Sequence, residues 1–162
     1  MVQKSIAFFD IDGTLIRSAL LIELTLALVR HQIFPERVLE EIAETKRAWM
    51  ERRGTFDQYI LTVVDVFFRY IKGCSAEDVA HIGRIVAKEQ RHQVYAFTRD
   101  LIEKHRATHV LVAITGAVHE TVEPLLTHWG FARWYPSVLE VRDGGYTGHR
   151  MQNPSTEKGA LV

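Results

Sequence analysis

The sequence predicts an α/β fold in which a helical cap is inserted after the first strand. A short apolar run, Ser5–Phe9, opens the chain, and helical periodicity fills residues 18–106. A second run, rich in β-branched residues, follows at 109–115. At 162 residues the chain is one ordinary domain, or one core domain with a sizeable insertion.

Bulk composition narrows the function. Hydrophobic residues make up 47% and charged residues 25%, a globular balance that argues against disorder. Lys plus Arg and Asp plus Glu each number 20, so the net charge is zero and nucleic acid is not an expected partner. Cys74 is the only cysteine, which excludes an internal disulfide and suits a reducing cytoplasm. The apolar run at 19–29 is interrupted by Glu23 and is too short to cross a bilayer. Asp10 and Asp12 stand where a signal peptide needs apolar residues. A cytoplasmic, unprocessed protein without a membrane partner is expected.

The elements follow in order. Ser5–Phe9 is too short for a helix and suits a buried strand, with Asp10-Ile11-Asp12-Gly13-Thr14 as the loop leaving its C-terminal end. Pro35 suits the first turn of a helix through Val38, Ile42 and Trp49, broken at Gly54. Tyr59, Val63 and Phe67 form an apolar stripe on the next helix, which Gly73 ends. Ser75 with Asp78 resembles a capping box opening a helix toward His92. Residues 94–106 form a further helix with Leu101 and Ile102 inward.

The second strand, 109–115, leads through Gly116 into a helix closed by Gly130, which Pro124 should kink or divide. Residues 137–142 read as a third strand. Asp143-Gly144-Gly145 is a turn signal that starts a hairpin through Tyr146 and Thr147. The tail at 153–158 is polar, with a helix beginning at about Glu157.

Asp10 and Asp12 carry the chemistry. Two alternating carboxylates at a strand end point to one pocket if the loop curls, and together they can hold a hard divalent cation. Phosphate-ester hydrolysis can use one as nucleophile and the other as acid and base. Gly13 permits the tight turn and Thr14 can bond within its own loop. A lone Asp-x-Asp is more often only an acidic loop.

The longer string Phe8-Phe9-Asp10-Ile11-Asp12-Gly13-Thr14-Leu15-Ile16 closely resembles the first signature of the haloacid dehalogenase superfamily. Thr115-Gly116 after Val110 and Ile114 resembles its second, and Lys158 near a later helix start resembles its third. The helical insertion, and the hairpin from Leu139 to Gly148, resemble the branch that includes phosphoserine phosphatases.

The resemblance implies a Rossmann-like parallel sheet core at 1–16 and 107–162, with the cap and a return helix at 17–106. It implies that Asp10 attacks phosphorus to form an aspartyl phosphate, and that Asp12 serves as acid and then base. Thr115, the Gly116 N–H and Lys158 would hold the phosphoryl group, and Mg2+ would sit between the Asp10 carboxylate, the Asp12 carbonyl and the phosphate. A small phosphorylated metabolite is the implied substrate. The physical logic is independent of the family: a dianion approaching two carboxylates needs a cation and a lysine beside it.

The superfamily's fourth signature, an acidic pair on a further strand, has no counterpart after Lys158. A C-terminally truncated chain is therefore expected, rather than a short variant recruiting Asp143. Impaired activity, weak magnesium binding and self-association through an unpaired edge of Ser5–Phe9 follow from that expectation.

Ala19 occupies the position at which phosphoserine phosphatases carry a Glu that meets the substrate's amino group. Glu23, one turn on, either reaches the pocket or faces solvent. Arg47, Arg52 and Arg53 read as a solvated charged face. His105 and His109 have i, i+4 spacing, but a strand beginning at the second argues against a zinc pair. Trp49, Trp129 and Trp134 are expected in the core or lining the cap. Cys74 has no neighbouring His to make it a nucleophile.

The competing functions are a phosphotransferase using the same Asp10, a catalytically inactive fragment or phosphate-binding relative, and a receiver-type signalling domain. The long insertion argues against the last.

Overall fold

The computed structural model describes residues 4–154. Its elements run β1 (Ser5–Phe9), α1 (Leu20–Arg30), α2 (Arg37–Met50), α3 (Phe56–Tyr70), α4 (Ala76–Gln90) and α5 (Ala96–His105). Then come β2 (His109–Val118), α6 (His119–His128), β3 (Arg133–Arg142) and β4 (Gly145–Gln152). The four strands form one sheet in the order β1-β2-β3-β4; β1, β2 and β3 are parallel and β4 returns antiparallel to β3. This is the mixed α/β architecture expected. Among the described residues no helix is long and apolar enough to cross a membrane.

Two hydrophobic clusters hold the chain together. One gathers α1 to α4 around Leu24, Leu28, Phe34, Val63 and Phe67, and recruits Leu139 and Tyr146 from the hairpin. The other gathers Phe9, Ile11, Leu15 and Ile16 with Leu111, Ala113, Val122 and Leu125. Helix α1 is buried almost all round, as a helix lying between two layers must be. Burial of a single side chain such as Phe67 is worth about 1.5–3 kcal/mol.

Helix starts follow local chemistry. The Thr55 hydroxyl accepts from the Gln58 N–H, and the Gln58 side chain accepts from the Thr55 N–H, a complete capping box on α3. At α4 the Ser75 hydroxyl accepts from the Asp78 N–H. The expected cap there is present on its serine side.

Three boundaries differ from the sequence reading. Strand β2 continues through Gly116 to Val118, so α6 begins at His119 rather than just after Gly116. Ala117 and Val118 are buried and extend the strand's apolar run. Strand β3 begins at Arg133 rather than 137; Pro136 sits where the β2–β3 register shifts, a position that does not need its missing N–H. Pro124 neither ends nor divides α6. The carbonyl deprived of its partner by Pro124 is that of Glu120, and Gly83 of α4 packs directly against it.

The hairpin is pinned to the helical layer by backbone bonds from Gly73 to Tyr146, Tyr146 to Cys74 and Ala76 to Gly144. The Tyr146 hydroxyl donates to Glu120 Oε1 at 2.7 Å. Burial, and then this bond, push the Tyr146 phenol well above its ordinary range. A group whose folded pKa is raised contributes stability below its unfolded pKa, about 10 for tyrosine, and loses it as pH rises further. Thermal melts should therefore fall off above about pH 10, and Tyr146→Phe should flatten that decline. At neutral pH the same variant should cost about 1–3 kcal/mol, because Glu120 Oε2 already has no partner among the described residues.

Candidate active site

The loop that leaves β1 is organised by its own backbone. The Gly13 N–H donates to the Ile16 carbonyl at 2.8 Å, while Thr14, Leu15 and Ile16 all donate to the Ile11 carbonyl. Gly13 takes φ +72°, a left-handed conformation that costs other residues about 1–2 kcal/mol. Ile11, Leu15 and Ile16 are fully buried and anchor the loop from below. The Thr98 hydroxyl of α5 donates to the Thr14 carbonyl at 2.7 Å, tying the loop to the core.

The two carboxylates take different partners. The Thr14 hydroxyl donates to Asp10 Oδ2 at 3.1 Å, the within-loop bond expected of Thr14. Asp12 Oδ1 accepts the backbone N–H of Leu20 at 2.8 Å. Ala19, the N-cap of α1, has no side chain to cap the helix, so Asp12 does so from a distance and places its charge at the positive end of the helix dipole.

Asp12 and Gly13 line a cavity of about 850 Å³, together with residues of α1, the α2–α3 corner and the end of α4. Glu23, Lys46, Trp49 and Tyr59 line its other walls. Asp10 lines a second, smaller cavity of about 380 Å³ beside β1 and α5, with Phe97, His105 and His109. The pair thus shares one loop but borders two cavities.

Thr115 lies on the neighbouring strand, two residues beyond Ala113, which is the partner of Phe9. It is fully buried, and its hydroxyl accepts the Ala117 N–H at 3.1 Å. Gly116 is exposed, and its carbonyl accepts the Ser137 hydroxyl. Because α6 starts three residues later, its N-terminus is further from Gly116 than the sequence suggests. Lys158 and Glu157 lie outside the described residues. Asp143 occupies the β3–β4 turn at φ +50°, in the hairpin docked on residues 73–76.

The remaining candidates resolve as follows. Glu23 lines the large cavity, where it accepts from the Ser18 hydroxyl at 2.5 Å, and Ala19 lines it beside Glu23. Desolvation by burial, and next the Glu23 charge, push the Tyr59 phenol up. Arg47 and Arg53 pair with Glu44 and Glu51 at the surface. His105 and His109 approach with Nδ1 atoms 3.3 Å apart, but among the described residues no group of three or more metal-binding side chains forms. Burial, and then Asp78, push the Cys74 thiol up, which suppresses its nucleophilic form. Trp129 is buried, whereas Trp49 stands 39% exposed on the cavity wall.

The oxygen donors at Asp10 and Asp12 suit magnesium, which takes one or two carboxylates and completes its shell with water and substrate phosphate.

Comparison with known proteins gives one family. The pattern described as haloacid dehalogenase-like hydrolase matches residues 7–161. No curated protein sequence matches. A structure of a protein of unknown function from Bordetella pertussis Tohama I is 18% identical at a TM-score of 0.70, covering 94% of this chain and 69% of its own. A phosphoserine phosphatase in a phospho-aspartyl intermediate analogue form is 19% identical at 0.54, covering 91% of this chain and 63% of its own. An unliganded probable phosphoserine phosphatase from Vibrio cholerae is 15% identical at 0.58, covering 99% and 45%. The chain therefore spans under two thirds of either phosphatase, and at these identities the likeness is one of fold.

Proposed function

The chain belongs to the haloacid dehalogenase-like hydrolase family, and on that premise we propose that it is a magnesium-dependent hydrolase of a small phosphomonoester. The observation that carries the reading is the Asp10–Thr14 loop at the C-terminal end of β1, curled by Gly13, with Asp12 lining a large cavity. A cytoplasmic setting is part of the proposal, supported by the single cysteine.

In this mechanism an Asp10 carboxylate oxygen attacks phosphorus and the bond to the leaving oxygen breaks. Asp12 gives its proton to that oxygen, then takes one from the water that attacks the aspartyl phosphate. That second attack frees Asp10 and inorganic phosphate. The Thr14 hydroxyl orients Asp10 through the bond to its Oδ2. The α1 N-terminus steadies Asp12 through the Leu20 N–H. Thr115, the Gly116 N–H and Lys158 are the proposed phosphoryl ligands. Mg2+ held by Asp10 and the Asp12 carbonyl would offset charge as the dianion approaches.

Phosphate release from p-nitrophenyl phosphate tests the proposal. Activity should vanish with chelator and return with added magnesium. Release indifferent to chelator, or no release at any magnesium concentration, would sink it.

Self-association is proposed at β1, the edge of the sheet among the described residues, where Ile6 is 58% and Phe8 44% exposed. Sedimentation should show a dimer at high concentration that Phe8→Lys disperses; a stable monomer throughout would contradict it.

A further inference from the structure

The large cavity is oversized for a compact polar ester. At about 850 Å³ it lies at the upper end of pockets that enclose drug-sized ligands, whereas one water occupies about 30 Å³. Asp12, the proposed acid and base, lines it, while Asp10 stands on the same loop at the smaller cavity. Trp49, Phe56 and Tyr59 give the large cavity an aromatic wall.

That wall is built by the α2–α3 corner. Trp49 comes from the last turn of α2, while Phe56 and Tyr59 come from the first turn of α3. Trp49 and Tyr59 are stacked, with centroids 5.7 Å apart and planes 16° from parallel. Phe56 meets Trp49 edge-on at 5.2 Å. The Thr55–Gln58 capping box fixes where α3 begins, and with it the placement of Phe56 and Tyr59. Tyr59 is 2% exposed, yet Trp49 and Phe56 each keep 39% of their surface in water. Such rings gain by being covered.

The charges around the cavity do not select a second strongly charged group. Two carboxylates, Glu23 and Glu89, and two cations, Arg17 and Lys46, line it, and Glu89 is already paired with Arg30 at 3.0 Å. A compact ester such as glycerol phosphate would leave the aromatic wall hydrated.

We infer that the alcohol half of the substrate carries a planar aromatic or heteroaromatic ring, which packs on Trp49 and Phe56 while the phosphoryl group lies beside Asp12. The inference rests on the phosphomonoesterase reading and names its substrate class. Aryl phosphates and nucleoside monophosphates both present this chemistry.

Titration calorimetry on the full chain with magnesium, using phosphonates that cannot be hydrolysed, tests it. Benzylphosphonate serves as the aryl probe, the phosphonate analogue of adenosine monophosphate as the nucleoside probe, and 2-hydroxyethylphosphonate as the compact one. At least one ring-bearing ligand should bind about tenfold tighter than the compact ligand, the scale of one stacking contact. The tighter of the two identifies the source of the ring.

Trp49→Ala should erase that preference while leaving the compact ligand's affinity unchanged within about twofold, and Trp49→Phe should keep most of it. Unchanged melting curves would establish that both variants are folded. Equal affinity for all three ligands, a preference that survives Trp49→Ala, or no binding of either ring-bearing phosphonate would overturn the inference. Unselective binding with phosphate release intact defeats this inference alone. Selective binding without phosphate release defeats the hydrolase reading and leaves the ring preference standing.

Discussion

Asp10→Asn is expected to lower phosphate release by about 10³-fold or more while leaving the fold unchanged. An amide oxygen is too weak a nucleophile to displace an alkoxide from phosphorus, so the covalent step is lost. Stability should move by no more than about 0.5 kcal/mol, since the residue is only partly buried. An asparagine oxygen can still accept the Thr14 hydroxyl that now bonds Asp10 Oδ2. Asp12→Asn makes the informative contrast. It removes the proton carrier, a loss of about 10²–10⁴-fold. It also removes a negative charge from the α1 N-terminus, worth about 0.3–1 kcal/mol, even though the Leu20 N–H keeps an acceptor. One variant should therefore separate activity from stability, and the other should move both. Phosphate release by Asp10→Asn within tenfold of the parent would remove Asp10 from the nucleophile's place.

The largest stability effect is expected at Gly83. This glycine lies within α4 and faces the start of α6. A methyl group there would sit 2.4 Å from the Glu120 carbonyl oxygen and 2.7 Å from its carbon, both backbone atoms that cannot rotate away. On an open helix surface, Gly→Ala stabilises by about 1 kcal/mol through helix propensity. Here the overpacking cost, about 1–3 kcal/mol and occasionally more, opposes that gain because the two helices must separate. The carbonyl involved is the one that Pro124 deprives of a helix hydrogen bond, so close approach by α4 is what shields it. Gly83→Ala should lower the melting temperature by several degrees, and Gly83→Val by more, in calorimetry or circular dichroism. An alanine variant as stable as the parent would show that α4 and α6 are not in contact at this point.

Much of this architecture could be read from local pattern. Ser5–Phe9 and the Asp-x-Asp-Gly-Thr loop announced a strand followed by a tight acidic turn, and Gly13 does take the left-handed conformation that such a turn requires, but of the strand expected to be buried only Phe9 is. The stripe of Tyr59, Val63 and Phe67 predicted the buried face of α3, and all three are buried. Ser75 with Asp78 marked the start of α4, and the Ser75 hydroxyl does accept the Asp78 N–H.

Other features depend on contacts remote in sequence. Pro124 reads as a helix breaker because its neighbours in the chain cannot reveal that Gly83 covers the orphaned carbonyl. Asp12 as the cap of α1 was hidden because capping rules search the residue next to the helix, and Ala19 offers nothing. The aromatic wall was hidden as well. Trp49 and Phe56 flank a turn, and only the angle between α2 and α3 stacks Trp49 on Tyr59 and turns the group toward the loop. For the same reason, the spacing of Asp10 and Asp12 suggested one shared pocket, whereas the two residues line different cavities.

Acid-quenched peptide mass spectrometry during turnover of p-nitrophenyl phosphate with magnesium tests the account most directly. The peptide containing Asp10 should gain the mass of one phosphoryl group, the label should be lost on mild alkaline treatment, and Asp10→Asn should never acquire it. Phosphate release without any such label, or a label carried by a residue other than Asp10, would contradict the account.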